Sequence, residues 1–220
     1  PSAEPPPALL GEVVVSAART PLPAAQVAAT VRVLTSDEVA RGPAATLDGA
    51  LRALPAFGLF RRADSLAANP TAQGVSLRGL GPSGASRSLV LLDGVPLNDP
   101  FGGWVAWTKV PRDGVWRVEV VPGGGASAWG NAALGGVVQI LTAPEPVSAA
   151  GAPGTSRFLA SAGSFGTREV EFAVGVPAGG GEARLIGRDF ATDGYPLIAP
   201  ERRGAIDVPA WSRHRWAEAR

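Results

Sequence analysis

RSLVLLDGVPLNDPFGGWVAWTKVPRDGVWRVEVVPGGGASAWGNAALGGVVQILT, residues 87–142, decides the fold of this chain. Its first apolar run, residues 88–92, ends in Asp93-Gly94. That dipeptide accepts positive φ at both positions and predicts a tight two-residue hairpin. A second run, residues 115–121, alternates Val115, Arg117, Glu119 and Val121 against Trp116, Val118 and Val120. It leads into Pro122-Gly123-Gly124-Gly125 and a segment of small residues. A third strand, residues 137–142, follows Gly135-Gly136. Short β-prone runs punctuated by Gly-rich turns predict a small sheet with few helices.

Upstream, residues 29–34 alternate as a strand. Thr35 and Glu38 then have the spacing of a capping box, which predicts a short helix. Thr46 can cap a second helix, whose Leu47, Ala50, Leu51 and Leu54 fall at i, i+3, i+4 and i+7. Pro55 ends it. These residues read as core. Residues 60–74 are polar and irregular, residues 75–78 form a short strand before Gly79, and residues 81–87 form a loop. A further loop, residues 98–107, sets Phe101, Trp104 and Trp107 among glycines.

Downstream the composition changes. Residues 143–154, APEPVSAAGAPG, read as a linker. Residues 156–163, a turn at Ser164-Phe165-Gly166 and residues 168–176 follow. The second of these runs puts Val170, Phe172, Val174 and Val176 on one face and Glu169, Glu171, Ala173 and Gly175 on the other. That is the apolar-out, polar-in pattern of a membrane barrel strand of about ten residues, and a soluble antiparallel sheet shows the same alternation. A tight turn at 177–181, a strand at 182–190, a long loop at 193–212 and a strand from 214 to 220 continue the short-turn, long-loop rhythm. His214 falls in that last strand near a membrane interface, with Trp211 and Trp216 as girdle aromatics.

Composition narrows the chemistry. The chain has 220 residues and a net charge of +1, so no nucleic acid or other polyanion is implied as a partner. Cys is absent and His214 is the only His, which excludes a disulfide framework, a His-centred triad and a multi-His metal site. Residues 120–136 invite a phosphate-loop reading but lack Gly-Lys-Ser/Thr. Ser83 and Ser86 miss the spacing of a nucleophile elbow. No enzyme, cofactor or metal is expected. No run reaches the roughly 20 apolar residues of a membrane helix, so a membrane role would have to use strands. Residues 1–7 carry neither the basic start nor the apolar core of a signal peptide, so an exported chain would be seen here already mature or trimmed.

Taken together, Leu77-Arg78-Gly79, the strand and turn at 89–96, Val118-Glu119-Val120, Trp129-Gly130 and the strand at 135–140 resemble, in order, the plug domain of TonB-dependent outer-membrane receptors. The resemblance covers roughly residues 11–142. It implies a fold of the α+β class: a plug made of a small mixed β-sheet with short helices and long loops, followed by antiparallel strands of a truncated transmembrane β-barrel. The expected organisation is a flexible N-terminus at 1–18, the plug at 19–142, the linker at 143–154 and the barrel start at 155–220. Gly11, Glu12, Val13, Val14, Val15, Ser16 and Ala17 resemble a TonB box, which pairs with periplasmic TonB by adding a strand to a sheet edge.

The resemblance further implies that apical plug loops meet the substrate: Thr71, Ala72 and Gln73; Gly81, Pro82 and Ser83; and Phe101, Gly102, Gly103 and Trp104. Arg78 and Glu119 are expected in a polar contact between plug and barrel, although Pro122 follows Val121 directly where the family usually has Arg-Gly-Pro. The implied function is TonB-energised uptake of a large ligand, such as a ferric siderophore or cobalamin, across the outer membrane, whose lipid surrounds the barrel. The N-terminus would be periplasmic. A barrel of this kind has about 22 strands and four cannot close one, so the chain is expected to be a fragment. Two other readings stand beside it: a plug-only module that binds a ligand or protein without transport, and a small nucleotide enzyme using the Gly-rich loop.

Overall fold

The structure is a computed structural model. It describes residues 14, 15, 17, 19, 22, 23, 26, 29–61, 64–69, 72–80, 87–110, 112–123, 126–142, 156–178 and 181–219. The linker expected at 143–154 lies outside the described residues. In chain order the elements are β1 (Val14–Val15), β2 (Leu22–Pro23), β3 (Arg32–Thr35), α1 (Ser36–Arg41), α2 (Leu47–Leu51), β4 (Phe57–Leu59) and β5 (Val75–Leu77). Then come β6 (Ser88–Leu92), β7 (Val95–Pro96), β8 (Arg117–Pro122), α3 (Ala126–Trp129) and β9 (Gly136–Leu141). The last four strands are β10 (Arg157–Ala162), β11 (Arg168–Ala178), β12 (Gly181–Thr192) and β13 (Ser212–Ala219).

The stretch at 87–142 supplies four of the five strands of the first sheet, whose order is β3-β8-β9-β6-β7. β9 pairs antiparallel with β8 and parallel with β6, so the sheet is mixed. Asp93 (φ 48°) and Gly94 (φ 83°) form the β6–β7 turn with both residues left-handed, as the dipeptide predicts. The Asp93 carboxylate also accepts the Thr142 N–H (2.9 Å) and hydroxyl (2.7 Å), which fastens the end of β9 to this hairpin.

Both faces of β8, β9 and β6 are covered, which explains why they read as nearly continuous apolar runs. On one face Leu34, Val90, Val118, Val120, Val138 and Ile140 pack against Val39 of α1, Leu47 and Leu51 of α2, Phe57, Leu77 and Trp107. Burying each such aliphatic side chain contributes about 1.5–3 kcal/mol. On the other face Leu89, Leu91, Val121 and Val137 pack with Ala17, Ala133 and part of Trp129. Two features depart from the sequence reading. Phe57–Leu59 is a strand paired with β5. Trp107, expected among loop aromatics, is core: it is 1% exposed and meets Phe57 edge-on at 6.1 Å between ring centroids.

At the start of α1 the capping box forms as its spacing predicts. Thr35 Oγ1 accepts the Glu38 N–H (3.3 Å), and Glu38 accepts the Thr35 N–H (2.9 Å). This backbone hydrogen bond, with help from Arg32, outweighs partial burial and holds the Glu38 carboxyl below its ordinary range. A depressed folded-state pKa contributes stability above the unfolded value that is lost as pH falls through the folded value. Wild type is therefore expected to lose a small increment of stability below pH ~4.5 that Glu38→Gln does not lose. Urea midpoints measured at pH 6 and pH 3.5 for both proteins check this, and parallel losses would contradict it.

The second sheet runs β10-β11-β12-β13, all antiparallel. Val170, Val174, Val176 and Leu185 are exposed on one face. Glu171, Ala173, Ile186, Arg188 and Phe190 are buried on the other. Arg188 bridges two carboxylates there, with Nε 2.7 Å from Glu169 and 3.0 Å from Glu171. The expected apolar-out, polar-in alternation is realised. Two of the three residues expected near a girdle, His214 and Trp216, turn inward instead, while Trp211, before β13, is exposed. By register His214 lies opposite Phe190 and Trp216 opposite Arg188, on the inner face, because β13 begins at Ser212 and its even-numbered residues turn inward. Among the described residues no helix is long and apolar enough to cross a membrane.

Candidate functional site

Glu119 lies in the middle of β8 and is fully buried. A carboxylate there requires partners, and it has them. Arg117, two residues along the same strand and so on the same face, approaches to 2.7 Å, and the Ala17 N–H donates to Oε2 at 2.9 Å. Ala17 is itself held from its other side. The Trp129 indole N–H donates to the Ala17 carbonyl at 2.8 Å. Arg19 extends the contact, lying over the Trp129 ring at 5.2 Å and donating to the Ala128 carbonyl at 3.2 Å. Thus the segment that resembles a TonB box is anchored at its C-terminal end. Val14 and Val15, in β1, pair with β2 instead of extending the plug sheet. Gly11, Glu12, Val13 and Ser16 lie outside the described residues.

Trp129 also faces a groove of about 620 Å³ lined by Arg87, Leu89, Asn98, Phe101, Asn131 and Leu134 among others. The 98–104 loop forms one wall and is stiff for a local reason. Asn98 accepts the Val90 N–H at 2.7 Å and donates to the Ser88 and Gly103 carbonyls at 3.2 and 3.1 Å. Asp99 accepts the Phe101 and Gly102 N–H groups, a side-chain-closed turn that pushes Phe101 outward to 98% exposure. Trp104 is half-buried and lies against Gly102, leaving no room for a side chain there. A stiff loop presenting an aromatic ring beside an exposed Arg87 suits a large ligand, because little ordering remains to be lost on binding.

A second cavity, of about 310 Å³, lies between the 66–73 segment of the plug and β13. Leu66, Asn69, Gln73 and Thr108 line one side, and Trp211, Ser212 and His214 the other. Gln73 is buried because its amide donates to the Ser65 and Ala68 carbonyls, at 3.3 and 3.0 Å, and so shapes the loop. Ala72 beside it is exposed. Thr71, Gly81, Pro82 and Ser83 lie outside the described residues. Arg78 is exposed in a left-handed turn (φ 59°) and lies over Gly123, at the end of β8. Glu119 is turned instead onto Ala17 and Arg117. Sequence reasoning missed Trp129, Asn98, Asn131 and His214 as wall residues. Only Trp129 carried a signal, as the aromatic of an aromatic-Gly pair, and its partner Ala17 is 112 residues away in sequence. Among the described residues no cluster of His, Asp or Glu could hold a metal ion.

Comparison with known proteins follows the same outline. Residues 23–137, more than half of the chain, match the TonB-dependent Receptor Plug Domain. The chain belongs to the TonB-dependent receptor family. It is 29% identical over 190 residues to the vitamin B12 transporter BtuB of Vibrio vulnificus, covering 86% of this chain and 29% of that one. It is 34% identical over 125 residues to the ferric enterobactin receptor of Pseudomonas aeruginosa, covering 51% of this chain and 16% of that one. The crystal structure of a ferric enterobactin receptor mutant from Pseudomonas aeruginosa, in complex with enterobactin, superimposes with a TM-score of 0.53 at 26% identity, over 76% of this chain and 25% of that one. The chain thus spans less than a third of the length of these relatives. They are named as transporters and receptors, not enzymes.

Proposed function

We propose that this chain is the plug and first wall strands of an outer-membrane transporter that takes up a large, scarce ligand of the ferric siderophore or cobalamin class. Energy comes from periplasmic TonB, which pairs with residues 11–17. The observation that carries the reading is the double role of Trp129. It lines the same groove as Phe101, and its indole N–H holds Ala17. A ligand that displaces Trp129 on entering the groove weakens the grip on the segment that TonB must reach. Two hydrogen bonds, one of them to a carboxylate, hold Ala17. Their net worth is about 2–4 kcal/mol, a difference that a well-fitting ligand can supply. The ligand meets Phe101, Gly102, Gly103 and Trp104 on one apical loop, while Gln73, buried against the Ser65 and Ala68 carbonyls, shapes the neighbouring loop. The polar inner face of β11 and β12 lets the plug shift within a hydrated lumen.

Deletion of residues 11–17 from the full-length receptor tests this directly. Cells expressing the deletion are expected to bind ferric enterobactin or cyanocobalamin as the parent does, whichever the parent accepts, and to accumulate none. Accumulation that survives the deletion would remove the TonB-box assignment.

A further inference from the structure

The outer face of the second sheet changes character along its length. Register places its residues in rows across the strands. Near the short turn between β11 and β12, Val176 lies opposite Ala183, and Val174 opposite Leu185. Further along, Phe158, Phe172, Gly187 and Ala217 form an uncharged row. The next row runs Ala160, Val170, Asp189, Arg215. The last, beside the long 193–211 loop, runs Ala162, Arg168, Ala191, Arg213. Charge is therefore confined to one end of this face, and it is mostly positive. Three arginines stand against one aspartate, and Asp189 is taken by Arg215. Arg168 and Arg213 are both exposed and both register with Ala191. They lie two strand spacings apart, about 10 Å, with only a methyl group between them.

Arginine on a lipid-facing wall is costly at mid-bilayer and nearly free at the interface, so these rows mark the headgroup level. The short-turn end, by contrast, carries no charged residue at the outward register positions 174, 176, 183 and 185. The asymmetry calls for an anionic partner on the long-loop side alone. Guanidinium forks match phosphate oxygens two at a time, and a pair 10 Å apart suits a headgroup with more than one phosphate.

We propose that Arg168, Arg213 and Arg215 form a binding site for the phosphates of an anionic lipid headgroup in the leaflet on the long-loop side. The site rests on reading β10–β13 as barrel wall, but not on any particular transported ligand. The test uses the intact receptor, purified from outer membranes in a neutral detergent. Its melting is followed while a synthetic diphosphorylated lipid, phosphatidylcholine or inorganic phosphate is added. The diphosphorylated lipid alone is expected to raise the melting temperature. Arg168→Gln/Arg213→Gln is expected to weaken its apparent affinity about tenfold or more, while Arg168→Lys/Arg213→Lys keeps most of it.

An equal shift with phosphatidylcholine, a shift with inorganic phosphate alone, or full lipid affinity in the Gln pair would each overturn the proposal. The wild-type arms decide it even where the Gln pair fails to insert. Uptake by the Gln pair, measured in cells, separates the two readings. Normal uptake with no loss of lipid affinity sinks only the lipid site, whereas a wild-type receptor that never inserts in the outer membrane and never transports sinks the barrel reading on which it rests.

Discussion

Arg61→Ala is expected to lower the unfolding free energy of the plug by about 3–5 kcal/mol. Asp48 on α2 is 1% exposed and is engaged by Arg61 and by the Ser65 hydroxyl, the latter at 2.7 Å. The side chains of the ion pair are 5% and 1% exposed, so water cannot replace the guanidinium once it is gone. The carboxylate would remain in a nearly dry interior with one hydroxyl for a partner. The pair ties α2 to the segment leading into the 64–69 loop, so the damage should extend to the Gln73 cavity. Arg41→Ala is the control. Its pair with Asp37 is exposed at 81% and 71%, and its loss should cost under about 0.5 kcal/mol. Urea titrations followed by tryptophan fluorescence, with Trp107 in the core as reporter, read both. Equal midpoints for the two variants would contradict this account.

Glu119→Ala is expected to have the second largest effect, on the order of 3 kcal/mol, and to act on the N-terminal segment as well as on stability. It leaves the partly buried Arg117 without its carboxylate and the Ala17 N–H without its acceptor. Trp129 alone would then hold Ala17. Residues 14–17 are expected to become accessible to protease without ligand, at a concentration that leaves wild type intact. Glu119→Gln separates the two roles. Its amide oxygen can still accept from Ala17, so protection should largely survive while the stability loss persists. A spin label or protease probe near position 14 reads the first effect and urea unfolding the second. Protection unchanged in Glu119→Ala would show that the anchor does not control the segment.

Much of this architecture was legible in the residues. Asp93-Gly94 could only be a left-handed turn, Thr35 and Glu38 could only cap a helix start, and the Val-Glu alternation at 168–176 fixed which face of β11 is buried. Each of these rests on local stereochemistry or on a two-residue period, and neither needs a distant partner. The site was less legible. Glu119 stood in the sequence as one charge in an alternating strand, the pattern of a half-solvated edge. Instead it is buried, because Ala17, from a segment with no periodicity of its own, covers that face. Trp107 looked like its neighbours Phe101 and Trp104 in a Gly-rich loop. The Asp99 turn drives Phe101 out, while a strand absent from the expectation, Phe57–Leu59, brings Phe57 against Trp107 and makes it core.

What the sequence by itself determined was the family, the strand and turn order and the inward and outward faces of the second sheet, since all of these follow from short-range patterns. Only the tertiary structure decided that the end of the TonB-box-like segment is gripped by Glu119 and Trp129, and that His214 turns inward opposite Gln73. It also decided that Arg168 and Arg213 share a row. The reason is the same in each case: these pairs are separated by dozens of residues or more, and the contact exists only once sheet register and the packing of one layer on another have been set.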